Sequence, residues 1–155
     1  MAAIDLAKDE DRLVILGLLE AGTANTVTLG DWNVFGAAFK AVATAGARLQ
    51  NTGYDAPYAL VLNPIKYAQL AGSMQQGREE LEMVEEIVKG GIFQSPVMPE
   101  DKVLVVSPKA WNFDMVVGQD AVTAYVGNVG MDQRLRLFES LILRVKLPGA
   151  ICVLA

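Results

Sequence analysis

The sequence predicts an α+β fold, on three observations. Residues 3–20, 34–51 and 79–89 carry apolar side chains at helical spacing. Between and after them lie short apolar runs bounded by proline or glycine, the size of buried strands. The two kinds of segment mix without a strict strand–helix–strand repeat, which makes the class α+β.

The elements follow in chain order. Over 3–20, Leu6, Leu13, Leu16 and Leu19 fall roughly on one stripe, Asp5, Asp9, Glu10 and Asp11 make the N-terminal half acidic, and Gly22 is a stop signal. "TANTVTLGDW" reads as a short loop or strand ending in a Gly-Asp turn. Asp31 or Asn33 is placed to cap the helix over 34–51, where Phe35, Phe39, Val42 and Leu49 recur and Gly53 stands beyond the end. "PYALVLNP", 57–64, reads as a buried strand, and Pro64 opens a short helix running to Ala71. "GSMQQG", 72–77, is a polar loop between two glycines. In "REELEMVEEIVKGG", Leu81, Val84 and Val88 face inward and Gly90-Gly91 stops the helix. Ile92 and Phe93 begin a short strand ended by Pro96 and Pro99, and "KVLVVSP" is a strand stopped by Pro108. "FDMVVGQDAVTAYVG" reads as a hairpin-like or bent pair of strands with the bend at Gly118–Asp120. Residues 134–146 alternate like one long half-exposed strand, with a bulge-like phase shift at Phe138-Glu139, and "AICVLA" is a further strand. The expected body is a sheet of 57–63, 102–107 and 113–125 with the helices 34–51 and 79–89 packed on it.

Composition narrows the function classes. The chain has 155 residues, 52% of them hydrophobic, and a mean hydropathy of +0.30. No run of ~18–20 uncharged apolar residues, the length that spans a bilayer, is present, so the excess apolarity belongs in a core or in subunit contacts. Met1–Leu6 has no basic region of the kind that opens a secretory signal, and the single Cys152 excludes an internal disulfide, so a cytoplasmic setting is expected. A net charge of −5 opposes a nucleic-acid partner, which needs a basic face. Histidine is absent, which removes a Ser-His-Asp triad and a Cys/His zinc site.

The remaining candidate groups are ordinary. There is no GxxxxGK[ST] or GxGxxG phosphate loop. Glu79, Glu80, Glu82, Glu85 and Glu86 form a charge run; Glu82 and Glu86, four apart, could hold a cation, but a solvated helix face is the better reading. Asp114 and Asp120 flank an apolar run without the third group that acid–base chemistry needs. Trp32 and Trp111 read as anchors in core or interface, and Cys152 as a small buried apolar group. No catalytic residue, metal ligand or cofactor is indicated. The profile suits a self-assembling structural protein; a small carboxylate- or lysine-based enzyme is the rival from another class.

Four stretches, "PYALVLNPIKYAQL", "VEEIVKGGIFQSPVM", "VLVVSP…FDMVVGQDAVTAYVG" and "LRLFESLILRVKLPGAICVL", resemble the encapsulins, shell proteins with the tailed-phage capsid fold, and "EDRLVILGLLEAGTANTVTLGDW" resembles the segment that precedes them. The resemblance runs in order from about residue 8 to 154. It implies a capsid-type axial domain over 23–130, a remnant of the spine helix over 1–22, and C-terminal strands of the peripheral domain over 131–155. The N-terminal arm, the extended loop and most of the peripheral domain have no counterpart here. It further implies a homo-oligomeric shell that encloses cargo, such as a ferritin-like protein or a peroxidase, through a targeting peptide, with no nucleic acid and no membrane; a phage-type capsid protein is the alternative within the fold. Asp120, Ala121, Val122 and Thr123 match the strand that helps bind the targeting peptide. Ser73, Met74, Gln75, Gln76, Gly77 and Arg78 match the region that lines the fivefold pore. With the extended loop missing, small oligomers or a reduced shell are expected, with 134–154 pairing between chains.

Overall fold

A computed structural model describes all 155 residues. Its body is a five-stranded mixed sheet between two helical layers. In chain order the elements are α1 (Ala2–Ala21), β1 (Thr26–Val27), α2 (Ala37–Asn51), β2 (Ala59–Leu62), α3 (Pro64–Gly72), β3 (Met74–Gln75), β4 (Arg78–Glu79), α4 (Glu80–Ile87), β5 (Ile92–Gln94), β6 (Val103–Val106), β7 (Phe113–Val129), β8 (Asp132–Val145) and β9 (Ile151–Leu154). The sheet order is β1-β9-β6-β2-β5, with β6 antiparallel to both neighbours and the outer strands β1 and β5 parallel to theirs.

The unbroken apolar runs of β6 and β9 follow from burial on both faces. Val103, Val105, Cys152 and Leu154 point to one side, into a cluster with Trp32, Val42 and Leu49 under α2, and with Val84 of α4. Leu104, Val106, Ile151 and Val153 point to the other, against Ile15, Leu18 and Leu19 of α1. All eight strand residues are buried. At ~25 cal/mol per Å² of apolar surface removed from water, this double-sided core is the main source of stability.

Several elements differ from expectation. Residues 113–125 do not enter the sheet, and they are not a pair of strands. β7 is one continuous 17-residue strand paired only with β8, as a separate two-stranded ribbon. Three register shifts, at Val117/Gln119, Gln119/Val122 and Tyr125/Gly127, place the extra residues on β7. The predicted bend at Gly118–Asp120 is therefore a pair of bulges, and the phase shift at Phe138-Glu139 faces one of them, because the irregular strand is β7. The place expected for 113–125 beside β6 goes to β9, and β1 and β5 form the edges. Residues 131–155 are thereby divided: 132–145 complete the ribbon, while 151–154 sit between β1 and β6. Both segments find partners within one chain. The helix over 34–51 starts later, at Ala37, because Gly36 takes a left-handed φ of 88° that ends the preceding turn. Asp31 does not cap it; its Oδ1 accepts the backbone and side-chain N–H groups of Asn33 in a local turn.

Candidate functional site

The ribbon of β7 and β8 stands apart from the sheet body. Its root is fixed by a charged clamp. Asp114 and Arg144 are direct cross-strand partners. Arg144 Nε donates to Asp114 Oδ1 at 2.8 Å and Nη2 to Oδ2 at 2.7 Å, and Lys146 Nζ donates to Oδ2 at 2.9 Å. These donors hold the Asp114 carboxyl well below the usual carboxylate range and raise Arg144 in return. Asp114 is thus a register lock, fully engaged, and shares no site with Asp120.

At the root one ribbon face meets α1: Phe113, Leu143 and Val145 pack against the α1 cluster. Further out the seam becomes acidic. Leu6, Asp9, Glu10 and Leu13 of α1 and Glu139 and Leu141 of β8 line a crevice of about 240 Å³. Partial burial there, a hydrogen bond with Glu10, and the charges of Glu10 and Asp120 push the Glu139 carboxyl up. Beyond this point the ribbon projects with both faces largely in solvent. Val122, Tyr125, Val126, Val129 and Leu135 are all exposed.

Asp120, Ala121, Val122 and Thr123 lie on β7 at its second bulge, all exposed, with Val122 opposite Phe138 and Thr123 opposite Leu137. Ser73–Arg78 fall on a different feature. Met74-Gln75 and Arg78-Glu79 pair as a small hairpin, turned by Gln76 (φ 53°) and Gly77 (φ 76°), the two positive-φ residues such a two-residue turn needs. Met74 to Arg78 are exposed, whereas Ser73 sits behind the hairpin. The two candidate groups therefore occupy separate two-stranded sheets.

Ser73 leads to the residue that the charge-run reading misplaces. Glu80 is fully buried, not on a solvated face. Ser73 Oγ donates to Glu80 Oε2 at 2.6 Å and the Phe39 N–H donates to Oε1 at 2.9 Å. The signal was in the helical phase: Glu80 precedes Val84 by four and Val88 by eight, on the inward stripe. Glu82, Glu85 and Glu86 are exposed. No group of three or more acidic or Cys side chains is arranged to hold a metal ion, and no helix is long and apolar enough to cross a membrane. Trp32 is fully buried and donates Nε1–H to Leu29 O at 2.9 Å, while Trp111 is 67% exposed beneath the Lys109 ammonium.

Comparison with known proteins places this architecture. The family model Linocin_M18, described as an encapsulating protein for peroxidase, matches residues 1–142. A type 1 encapsulin shell protein of Myxococcus xanthus is 38% identical over 99% of this chain and 56% of its own length. A diheme-cytochrome–encapsulin shell fusion protein of Kuenenia stuttgartiensis is 36% identical over 99% of this chain and 45% of its own. A virus-like particle from Pyrococcus furiosus, solved by crystallography, superposes with a TM-score of 0.88 at 31% identity, covering 97% of this chain and 64% of that one. The fold is thus of the capsid type, and the chain spans about half the length of the curated relatives it matches.

Proposed function

This chain belongs to the encapsulin family of shell proteins, and from that premise we propose that it assembles with copies of itself into a shell that encloses a cargo protein in the cytoplasm. The role is structural and the chain carries out no chemistry of its own. The observation that carries the reading is the ribbon: a 17-residue and a 14-residue strand, with exposed apolar side chains on both faces and no third strand on either edge. Open edges and apolar faces of this size invite pairing with other chains.

Within that reading the sheet body is the axial domain, α1 the end of the spine helix, and the ribbon the peripheral-domain strands, so the ribbon's share of the chain starts at Phe113. The Gln76-Gly77 hairpin, with Ser73, Met74, Gln75 and Arg78, lines a pore at a symmetry axis. Asp120, Ala121, Val122 and Thr123 receive an extended targeting peptide: Ala121 and Val122 offer shallow apolar contacts, and Asp120 and the bulged backbone supply polar ones. Cargo of the peroxidase or ferritin-like class fits the resemblance, and the fusion of a shell protein to a diheme cytochrome in Kuenenia stuttgartiensis joins shell and redox protein in one chain.

The test is the particle mass of the purified chain by light scattering, with negative-stain microscopy. Defined oligomers or closed particles are expected; a strictly monomeric species at high concentration refutes shell formation. Cargo is tested by co-expressing a ferritin-like protein with and without its targeting peptide. Co-sedimentation that depends on the peptide, and is lost in Val122→Asp, is expected; co-sedimentation indifferent to both sinks the peptide assignment.

A further inference from the structure

The ribbon face turned away from α1 has a definite chemistry. Arg134, Arg136, Phe138 and Ile142 alternate along β8, and Ala124 lies opposite Arg136 on β7. Phe138 and Ile142 are exposed. Arg134 and Arg136 have no carboxylate within ion-pair distance, in contrast to Arg144 at the root. A two-stranded ribbon alone in water is marginally stable, and α1 supports only its lower part.

The flank of α1 beside the ribbon, where Gly17 faces Leu143, has the opposite character. Leu13, Leu16 and Gly17 floor a groove of about 440 Å³ whose rim carries Asp9, Arg12 and Glu20. Leu13 and Leu16 are exposed, whereas Ile15, Leu18 and Leu19 of the same helix are buried. The crevice at the seam continues this groove through Asp9 and Leu13 and adds Glu10 and Glu139. Four carboxylates, from Asp9, Glu10, Glu20 and Glu139, therefore meet one guanidinium, Arg12, which is itself 3.4 Å from Asp9.

We propose that the arginine-bearing face of the ribbon of one copy docks on the acid-rimmed α1 groove of a second copy. This rests on the shell-forming reading and names the surfaces that it uses. Apolar side chains meet apolar side chains at the centre, and Arg134 and Arg136 meet the carboxylate rim, which fixes register and partner choice. The two surfaces are different patches of the same chain, so a contact made head-to-tail adds copies around a ring or along a filament.

The experiment uses the full chain and two surface variants, Arg134→Glu/Arg136→Glu and Asp9→Lys/Glu20→Lys, followed by sedimentation velocity, with circular dichroism confirming the fold. Each variant alone is expected to weaken association by at least about tenfold through like-charge contact. Their equimolar mixture is expected to associate as the unaltered chain does, because each reversed ribbon then meets a reversed groove and each unaltered ribbon an unaltered groove. Should a reversal variant fail to fold, Arg134→Gln/Arg136→Gln with a salt titration reads the same contact, since it removes the salt-sensitive part of association. Variants that associate like the unaltered chain, or folded variants whose mixture stays dissociated, overturn the docking and leave shell formation standing. If the unaltered chain is monomeric, shell formation itself falls and this contact falls with it.

Discussion

Glu80 of α4 caps α2 from a different helix. Its Oε1 accepts the Phe39 N–H at 2.9 Å, one of the first-turn donors that no intrahelical carbonyl can satisfy. The residue at the N-cap position is Gly36, which has no side chain to do this. Through Oε2, at 2.6 Å from Ser73 Oγ, the same carboxyl ties the base of the 74–79 hairpin to the core. Glu80→Ala leaves two half-buried donors without their partner and opens a void where the buried side chain was, for an expected loss of about 2–4 kcal/mol. Glu80→Gln keeps an acceptor for Phe39 and offers a donor to Ser73, and is expected to lose less than half as much. Urea denaturation midpoints of the two variants check this; equal losses count against the capping role.

The Asp114 clamp makes stability depend on acid. Its carboxyl titrates lower in the folded chain than in the unfolded one. The contribution is therefore fully present above the ordinary aspartate value of about 3.9 and is lost as pH falls from there toward the folded value. Asp114→Asn is expected to lower the melting temperature at neutral pH, with the difference shrinking below about pH 4. A gap that stays constant from pH 7 to pH 2.5 contradicts it.

Glu139 has the opposite sign. Its carboxyl is pushed up by partial burial, the hydrogen bond with Glu10 and the neighbouring charges, so the fold favours the protonated form. That advantage is present below the ordinary glutamate value of about 4.3 and disappears as pH rises through the folded value. Glu139→Gln mimics the protonated group. It is expected to raise the melting temperature at pH 7 and to leave it unchanged at pH 4, a pattern read directly from two thermal scans.

Two glycines separate crowding from conformational freedom. A Cβ on Gly90 meets Tyr58 O at 2.6 Å, where the Gly90 N–H already bonds that carbonyl at 2.8 Å. Gly90→Ala is expected to cost about 1–3 kcal/mol. A Cβ on Gly72, at the end of α3, meets nothing within 4 Å, and Gly72→Ala is expected to be neutral or to stabilise by up to about 1 kcal/mol. Similar melting temperatures for the two variants refute the contrast.

The parts legible in the sequence are those set by local pattern. "VLVV" and "ICVL" lack alternation because both faces are buried, and they read as core strands for that reason. The helix over 79–89 showed its inward stripe through Val84 and Val88. What local pattern does not encode is which strands are neighbours. Residues 113–125 are as apolar as a core strand, yet they pair with 132–145 and project outward; their apolarity answers to surroundings beyond the sheet body. Glu80 was hidden by its charged neighbours Glu79 and Glu82, although its phase with Val84 pointed inward. The bulges were legible as a break at Gly118–Asp120 and a phase change at Phe138-Glu139, but not as bulges in one continuous strand, because a polar Gly-Gln-Asp run reads equally as a turn.

β9 lies between β1 and β6, joining strands drawn from residues 26–27 and 103–106. During synthesis the chain makes α1, α2 and the first hairpin long before residues 151–154 leave the ribosome. Until then β1 has no neighbour and one edge of β6 is bare, so Leu104 and Val106 cannot be sealed from α1's side by Ile151 and Val153. Pairings across such a sequence distance close late and slowly, and a half-built sheet with an open apolar slot is the species most exposed to self-association with nascent copies on the same messenger. Closure of the sheet thus waits on a strand synthesised after both of the strands it joins.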